Sequence, residues 1–246
     1  MRKRDVLIAA LVLIVLWQAT ALLVNRPILP TPLVVARVFV QELGHGLPGH
    51  FFASLWRVVA SMALAVILAV PAGLAIGQSR WLDRIFSPII YLLYPIPKVV
   101  LVPIILVFLG VGDLAKITII FLILFFQIVV LVRDQAANLP PQLILSLRSL
   151  GAGRRALFRF VYLPASLPAI LTALRQSVGM AVALLYVAEL FATQKGLGYY
   201  IYYNGSTLLN YPAMYAGVVA MSLLGLGLYF SVDWLEHRLC PWQFVT

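Results

Sequence analysis

Four arginines, Arg148, Arg154, Arg155 and Arg159, crowd into the short stretch "RSLGAGRRALFR" of a chain that is otherwise apolar. Guanidinium groups recognise phosphates and carboxylates, so the cluster calls for an anionic partner, either a lipid headgroup or a protein surface. Deeper in the apolar runs stand Lys98, Arg175, Glu189 and Gln127, with the phenols of Tyr91, Tyr94 and Tyr186. No set of these groups forms a nucleophile, base and acid at workable spacing. His45, His50 and His237 lie apart without an H-x-x-x-H pair, so no metal site is expected. A G-x-S-x-G elbow and a G-x-x-x-x-G-K-[S/T] phosphate loop are both missing, so this chain is not expected to bind ATP or to catalyse a reaction. Gly151–Ala156 reads GxGxxA but lacks the preceding strand that a dinucleotide fingerprint needs. Asn204–Gly205–Ser206 reads as a turn, and the single cysteine, Cys240, excludes an internal disulfide framework.

The elements that carry these residues follow from composition. The chain has 246 residues, 63% hydrophobic and only 11% charged, where soluble domains carry about 25% charged residues. Charge is depleted because ionised side chains are costly in hydrocarbon, which makes this an integral membrane protein of the all-α, polytopic class. The net charge of +10 brings no basic stripe with interleaved aromatics, so no nucleic-acid partner is expected. Six spans are predicted: Val6–Val24, a segment within Ala53–Gln78, Ser87–Gly110, Ile117–Val132, about Ala165–Ala192, and Pro212–Val232. Placing the N-terminus inside collects Arg2, Lys3, Arg4, Arg80, Arg84, Arg133, the four clustered arginines and Arg238 on the cytoplasmic side. Arg26, Arg37 and Lys195 then fall outside, with Arg57 and Lys116 near the outer edge, as the positive-inside rule requires. Both termini are therefore expected in the cytoplasm. The first span, residues 1–24, resembles a secretory signal but is expected to be retained, ahead of a core at about 53–236 within one domain, 1–246.

The arginine cluster then lies in the cytoplasmic loop 134–163. Pro140–Pro141 interrupts the preceding helix, Leu143–Leu150 can form a short helix ending at Gly151, and Arg154–Val161 can resume helical spacing. Pro164 and Pro168 mark the start of the fifth span. The expectation is two short surface helices joined by a glycine bend.

This loop resembles the signature loop of permease subunits of ATP-binding cassette importers, which reads E-A-A, three residues, Gly, nine residues, then I-x-L-P. Leu145–Ser146–Leu147 stand in the E-A-A places, Arg148–Leu150 follow, Gly151 is the glycine, and Val161-Tyr162-Leu163-Pro164 stands in the I-x-L-P places after Ala152–Phe160. The E-A-A triplet itself is absent, and valine replaces isoleucine. "AEL" at 188–190 and "GLGYYI" at 196–201, together with "YPIPKVVLVPIILVFLGVGDLAKI", are similar to further family segments. The closing "HRLCPW" resembles the nitrate, taurine and alkanesulfonate branch.

The resemblance implies a type I importer permease in a bacterial inner membrane, with a second permease copy, two ATPase subunits that bind ATP and Mg, and an extracytoplasmic solute-binding protein as partners. It implies that the loop docks on the ATPase, with Leu145, Leu147 and Leu150 as the plug, and Arg148 on the polar rim. Ser146, Arg154, Arg155, Leu163 and Pro164 complete the docking segment, and Gly151 allows a close approach. A small anionic solute is expected. Lys98, Tyr94, Gln127, Arg175 and Glu189 are the candidate pathway residues. For Lys98 two roles stay open, bonding to carbonyls near Pro95 and Pro97 or facing the solute. For Arg175 carbonyl bonding is favoured, for Glu189 anchoring of the outer gate. Alternative functions are an intramembrane enzyme acting on lipid headgroups and a self-sufficient secondary transporter, against which stand the missing catalytic cluster and the missing paired interrupted spans.

Overall fold

The apolar runs fold as helices in the computed structural model, which describes residues 3–191 and 193–243. Arg2 and Ala192, used above for topology and for the end of the fifth span, lie outside the described residues, as does the side chain of Arg154. The helices are α1 (Lys3–Val24), α2 (Pro32–Leu43), α3 (Leu47–Gln78), α4 (Arg80–Leu93), α5 (Val102–Leu109), α6 (Asp113–Ala137), α7 (Pro141–Ser149), α8 (Arg154–Leu157), α9 (Leu163–Leu190), α10 (Leu197–Tyr202) and α11 (Tyr211–Leu239). No strand occurs among the described residues. Among the described residues, four helices are long and apolar enough to cross a membrane, Leu47–Gln78, Asp113–Ala137, Arg155–Leu190 and Tyr211–Leu239, or five if the bent pair Arg80–Leu93 with Lys98–Leu109 is one span. Within α1 the apolar stretch is Ile8–Val24.

The chain divides into two compact units, Met1–Leu55 with Glu189–Leu224, and Trp56–Ala188 with Gly225–Thr246. In the first, the Trp17 indole N–H donates to the Pro30 carbonyl at 3.1 Å, and its ring stacks on Tyr215. Gly217 packs so closely on Tyr200 and Ile201 that a Cβ there would come within 2.8 Å of both side chains.

In the second unit α3 and α6 run parallel. Arg57 pairs with Asp113 at 2.7 Å, and the Ser61 hydroxyl approaches the Ile117 carbonyl at 3.2 Å. Farther along, Gly73 abuts Val129 and Val132, and Gly77 abuts Arg133 and Ala136. From Arg57 to Gly77 the helices advance together by about 30 Å at 1.5 Å per residue, the thickness of a bilayer core. Two parallel neighbours need a return between them, and α4 with α5 supplies it. The sequence predicts a third span over 87–110 that is interrupted at "YPIPK". The structure breaks it there: α4 and the Lys98–Leu109 helix meet at a bend of 80°. The cause is "YPIP", because Pro95 and Pro97 bring no N–H to the helical ladder and Pro97 is extended at φ −70°, ψ 96°.

The 134–163 loop also differs from expectation. Only α7 stands as a separate short helix. The second predicted helix is the start of the long one, which runs without a break from Arg155 to Leu190. Pro164 is tolerated there because Phe158–Tyr162 widens into a π turn. The Leu163 N–H donates to Phe158, five residues back, so the ladder is already out of α register where the proline removes a donor.

Candidate functional site

Leu145 and Leu150, on and just beyond α7, are 62% and 83% exposed and leave two apolar side chains open to a covering surface. The helix is closed by a Schellman turn: Gly151 N–H donates to the Arg148 carbonyl and Ala152 N–H to the Leu147 carbonyl, both at 3.0 Å. Gly151 stands at φ 80°, while a Cβ built there meets nothing within 4 Å. Within this chain its requirement is thus a left-handed backbone. The Ser146 hydroxyl donates back to Gln142. Arg148 faces the end of α3, lining a cavity of about 330 Å³ with Ala75, Gln78, Ser79, Leu157 and Tyr162. Arg155 is exposed, and Leu163 and Pro164 open α9.

A second cavity, about 530 Å³, lies where the broken span meets α6 and α9. It gathers Tyr94, Lys98 and Gln127 with apolar walls that include Phe126, Met180 and Leu184. The Lys98 ammonium donates to the Tyr94 carbonyl at 2.5 Å and lies 5.0 Å from the Phe126 ring centre, a cation–π arrangement. The first role foreseen for Lys98, bonding a carbonyl beside the "YPIP" break, is present, and the same side chain lines a cavity. Phe126 and Gln127 are near the middle of α6, about 20 Å from Asp113 along the axis at 1.5 Å per residue.

Arg175 and Glu189 do not line that cavity. Arg175 bonds carboxylates, not the carbonyls expected from sequence: Asp233 at 2.6 Å and Glu236 at 3.1 Å, with the Thr172 hydroxyl donating to Glu236 at 3.0 Å. Fully buried Glu189 accepts from the Ser54 hydroxyl at 2.8 Å and from the Gly198 N–H at 2.8 Å, and Ser54 in turn accepts from the Leu197 N–H. This carboxylate ties the start of α10 to α3. His50 reinforces the tie, its ring nitrogen accepting from the Gly196 N–H at 3.1 Å.

Two features escaped the sequence analysis. Arg133 bridges Asp83 at 2.5 Å and Asp134 at 2.6 Å and donates to the Tyr91 hydroxyl at 3.1 Å, while Ser87 donates to Asp83. Nothing in sequence spacing pairs Asp83 with Arg133. The close packing of Gly73 and Gly77 on α6 did have a signal, the G-x-x-x-G spacing in an apolar helix.

Residues 65–240 match the family described as binding-protein-dependent transport system inner membrane component. The chain is 32% identical over 241 residues to the taurine transport system permease protein TauC of Escherichia coli (strain K12), covering 95% of this chain and 87% of that protein. It is 28% identical to the formylaminopyrimidine transport permease protein ThiX of Halalkalibacterium halodurans, covering 95% and 93%. Among solved structures, the fold is shared with a chain of the inward-facing MetNI methionine ABC transporter, with a TM-score of 0.67 and 21% identity over 78% of this chain and 95% of that one. It is shared too with a chain of a bacterial ABC transporter that imports alginate, at 0.59 and 17% over 96% of each.

Proposed function

This chain belongs to the family of binding-protein-dependent transport system inner membrane components, and we propose that it is the membrane-spanning subunit of an ATP-driven importer for a small anionic solute. A solute-binding protein delivers the solute from outside, a second copy of the permease completes the pathway, and two ATPase subunits hydrolyse ATP in the cytoplasm. The N-terminus and the C-terminus both face the cytoplasm, and α1 is a retained span. The observation that carries the coupling is α7: an amphipathic helix with two bare leucines, closed by Gly151, in register with the family's signature loop. It follows directly after α6, beside the end of α3, so a push on it reaches two packed spans at once. Its apolar knobs fit a groove on the ATPase, and the neighbouring arginines fit an acidic rim. Lacking the acidic residue of the signature triplet, the helix engages an ATPase surface altered to match.

The solute class rests on Lys98. A cation with no carboxylate among the cavity's lining residues favours an anion at mid-depth, where the low dielectric strengthens the attraction. The names of relatives such as TauC agree with a small sulfonate. Lys98→Met is expected to lower ATP-driven uptake of an aliphatic sulfonate by about tenfold at limiting concentration, the loss of roughly one charge-assisted contact. Undiminished uptake removes Lys98 from the pathway.

A further inference from the structure

A third cavity, of about 440 Å³, is lined by the same two helices, α6 and α9, toward the α7 end. Its polar walls are Asp134, Gln135 and Asn138 from α6 and its end, Thr172 and Gln176 from α9, and Gln243 from the closing turn. From Gln127 in the upper cavity to Gln135 in the lower one the step along α6 is about 12 Å. The upper cavity has a lysine and no carboxylate; the lower has a carboxylate and neither lysine nor arginine among its described lining residues.

The charge around the lower cavity has the same sign. Arg133 is shared between Asp83 and Asp134, and Arg175 between Asp233 and Glu236. Each network thus holds two carboxylates to one guanidinium and is left with an excess negative charge. His237, 3.7 Å from Asp233, offsets this only when protonated. This is opposite to the surrounding loops, whose arginines make that end basic.

We propose that the lining formed by α6 and α9 reverses its electrostatic sign along its length, so that an anion held at Lys98 is released through an amide-lined, anion-repelling vestibule. The proposal rests on the importer function above and extends it to the exit step. Transport fails if a pathway binds its solute tightly at every point, so an exit must be weaker than the site that feeds it. Amides hydrogen-bond either end of a small sulfonate or carboxylate without holding its charge, and Asp134 raises the energy of the anion there. The same field disfavours re-entry of cytoplasmic anions. Lys98 acts as an attracting residue and Asp134 as a residue that sets the direction of release.

The test needs no knowledge of the solute. Gln176→Cys places a thiol in the lower cavity and Ala183→Cys one in the upper. The native thiol, Cys240, is fully buried, and burial together with the nearby Glu236 pushes its pKa up, so it stays a poor nucleophile. Inside-out vesicles with the full chain and its co-expressed ATPase are treated with positively and negatively charged methanethiosulfonates, each rate normalised to a free thiol. At Gln176→Cys the cationic reagent is expected to lead by about threefold or more, and at Ala183→Cys the anionic one by a similar factor, the scale of one screened charge in a water-filled cleft. Asp134→Asn shrinks the first preference and Lys98→Met removes the second. The same preference at both sites, or no reaction at either, overturns the proposal. If the sign fails to reverse while the ATPase stays bound, the vestibule is wrong and the importer function stands; loss of the ATPase refutes the importer function itself.

Discussion

Gly77 of α3 presses on the backbone of Arg133 in α6: a Cβ at position 77 would stand 2.5 Å from the Arg133 carbonyl oxygen and 2.8 Å from the Ala136 Cβ. Membrane helices associate by close contact, not by hydrophobic burial, so this pair fixes how α3 meets α6. It also fixes the site of Arg133, whose guanidinium then reaches Asp83 and Asp134.

Gly77→Val should force the two helices apart and cost about 1–3 kcal/mol, the usual range for overpacking a close contact. The melting temperature of the detergent-solubilised protein checks it. Gly179→Ala, at a position with nothing within 4 Å, is the matched control and should melt like the wild type.

Arg175 holds two carboxylates on α11, and Glu236 is almost fully buried. Arg175→Leu should destabilise by about 2 kcal/mol, less than a fully buried pair would cost because Arg175 and Asp233 retain some solvent contact. Adding Glu236→Gln to Arg175→Leu should restore part of the loss, since it removes the charge left without its counter-ion. A double-mutant thermal melt measures the coupling; strict additivity contradicts it.

Gly151→Leu should cost roughly 1–2 kcal/mol locally, because its φ of 80° is a left-handed conformation that a branched side chain disfavours. The cost falls on the end of α7, not on a span. Membrane insertion should therefore be normal while solute-stimulated ATP hydrolysis in the assembled importer falls severalfold. Gly151→Asn, a residue that tolerates this conformation, should fall less.

Much of the fold was legible because hydrocarbon is an unforgiving solvent: the charge-poor apolar stretches that sequence marks as spans are the stretches that become α3, α6, α9 and α11. The break in the third span was less legible. "YPIP" announces an interruption, but its 80° angle depends on how α5 packs on α6 through Val102, Ile105 and Ile119. The continuity of α8 into α9 was hidden too, since Pro164 and Pro168 read as helix boundaries until the π turn is seen to accommodate the first. In the candidate site, Gly151 was visible from its spacing. Its left-handed backbone was not, because spacing does not report a backbone angle. Arg175 could be recognised as an intramembrane cation, yet its carboxylate partners lie about sixty residues away on α11, beyond what local periodicity reports.

Under the proposed function, the exposed leucines at the α7 end of this membrane protein dock on a separate ATPase. The direct measurement is co-purification of an ATP-binding cassette ATPase from the same host with the tagged chain, comparing wild type with the double variant Leu145→Asp, Leu150→Asp. The ATPase should stay with the wild type through purification and be lost from the variant, while both insert into the membrane equally. Retention of the ATPase by the doubly charged variant, or its failure to bind the wild type, would contradict the account.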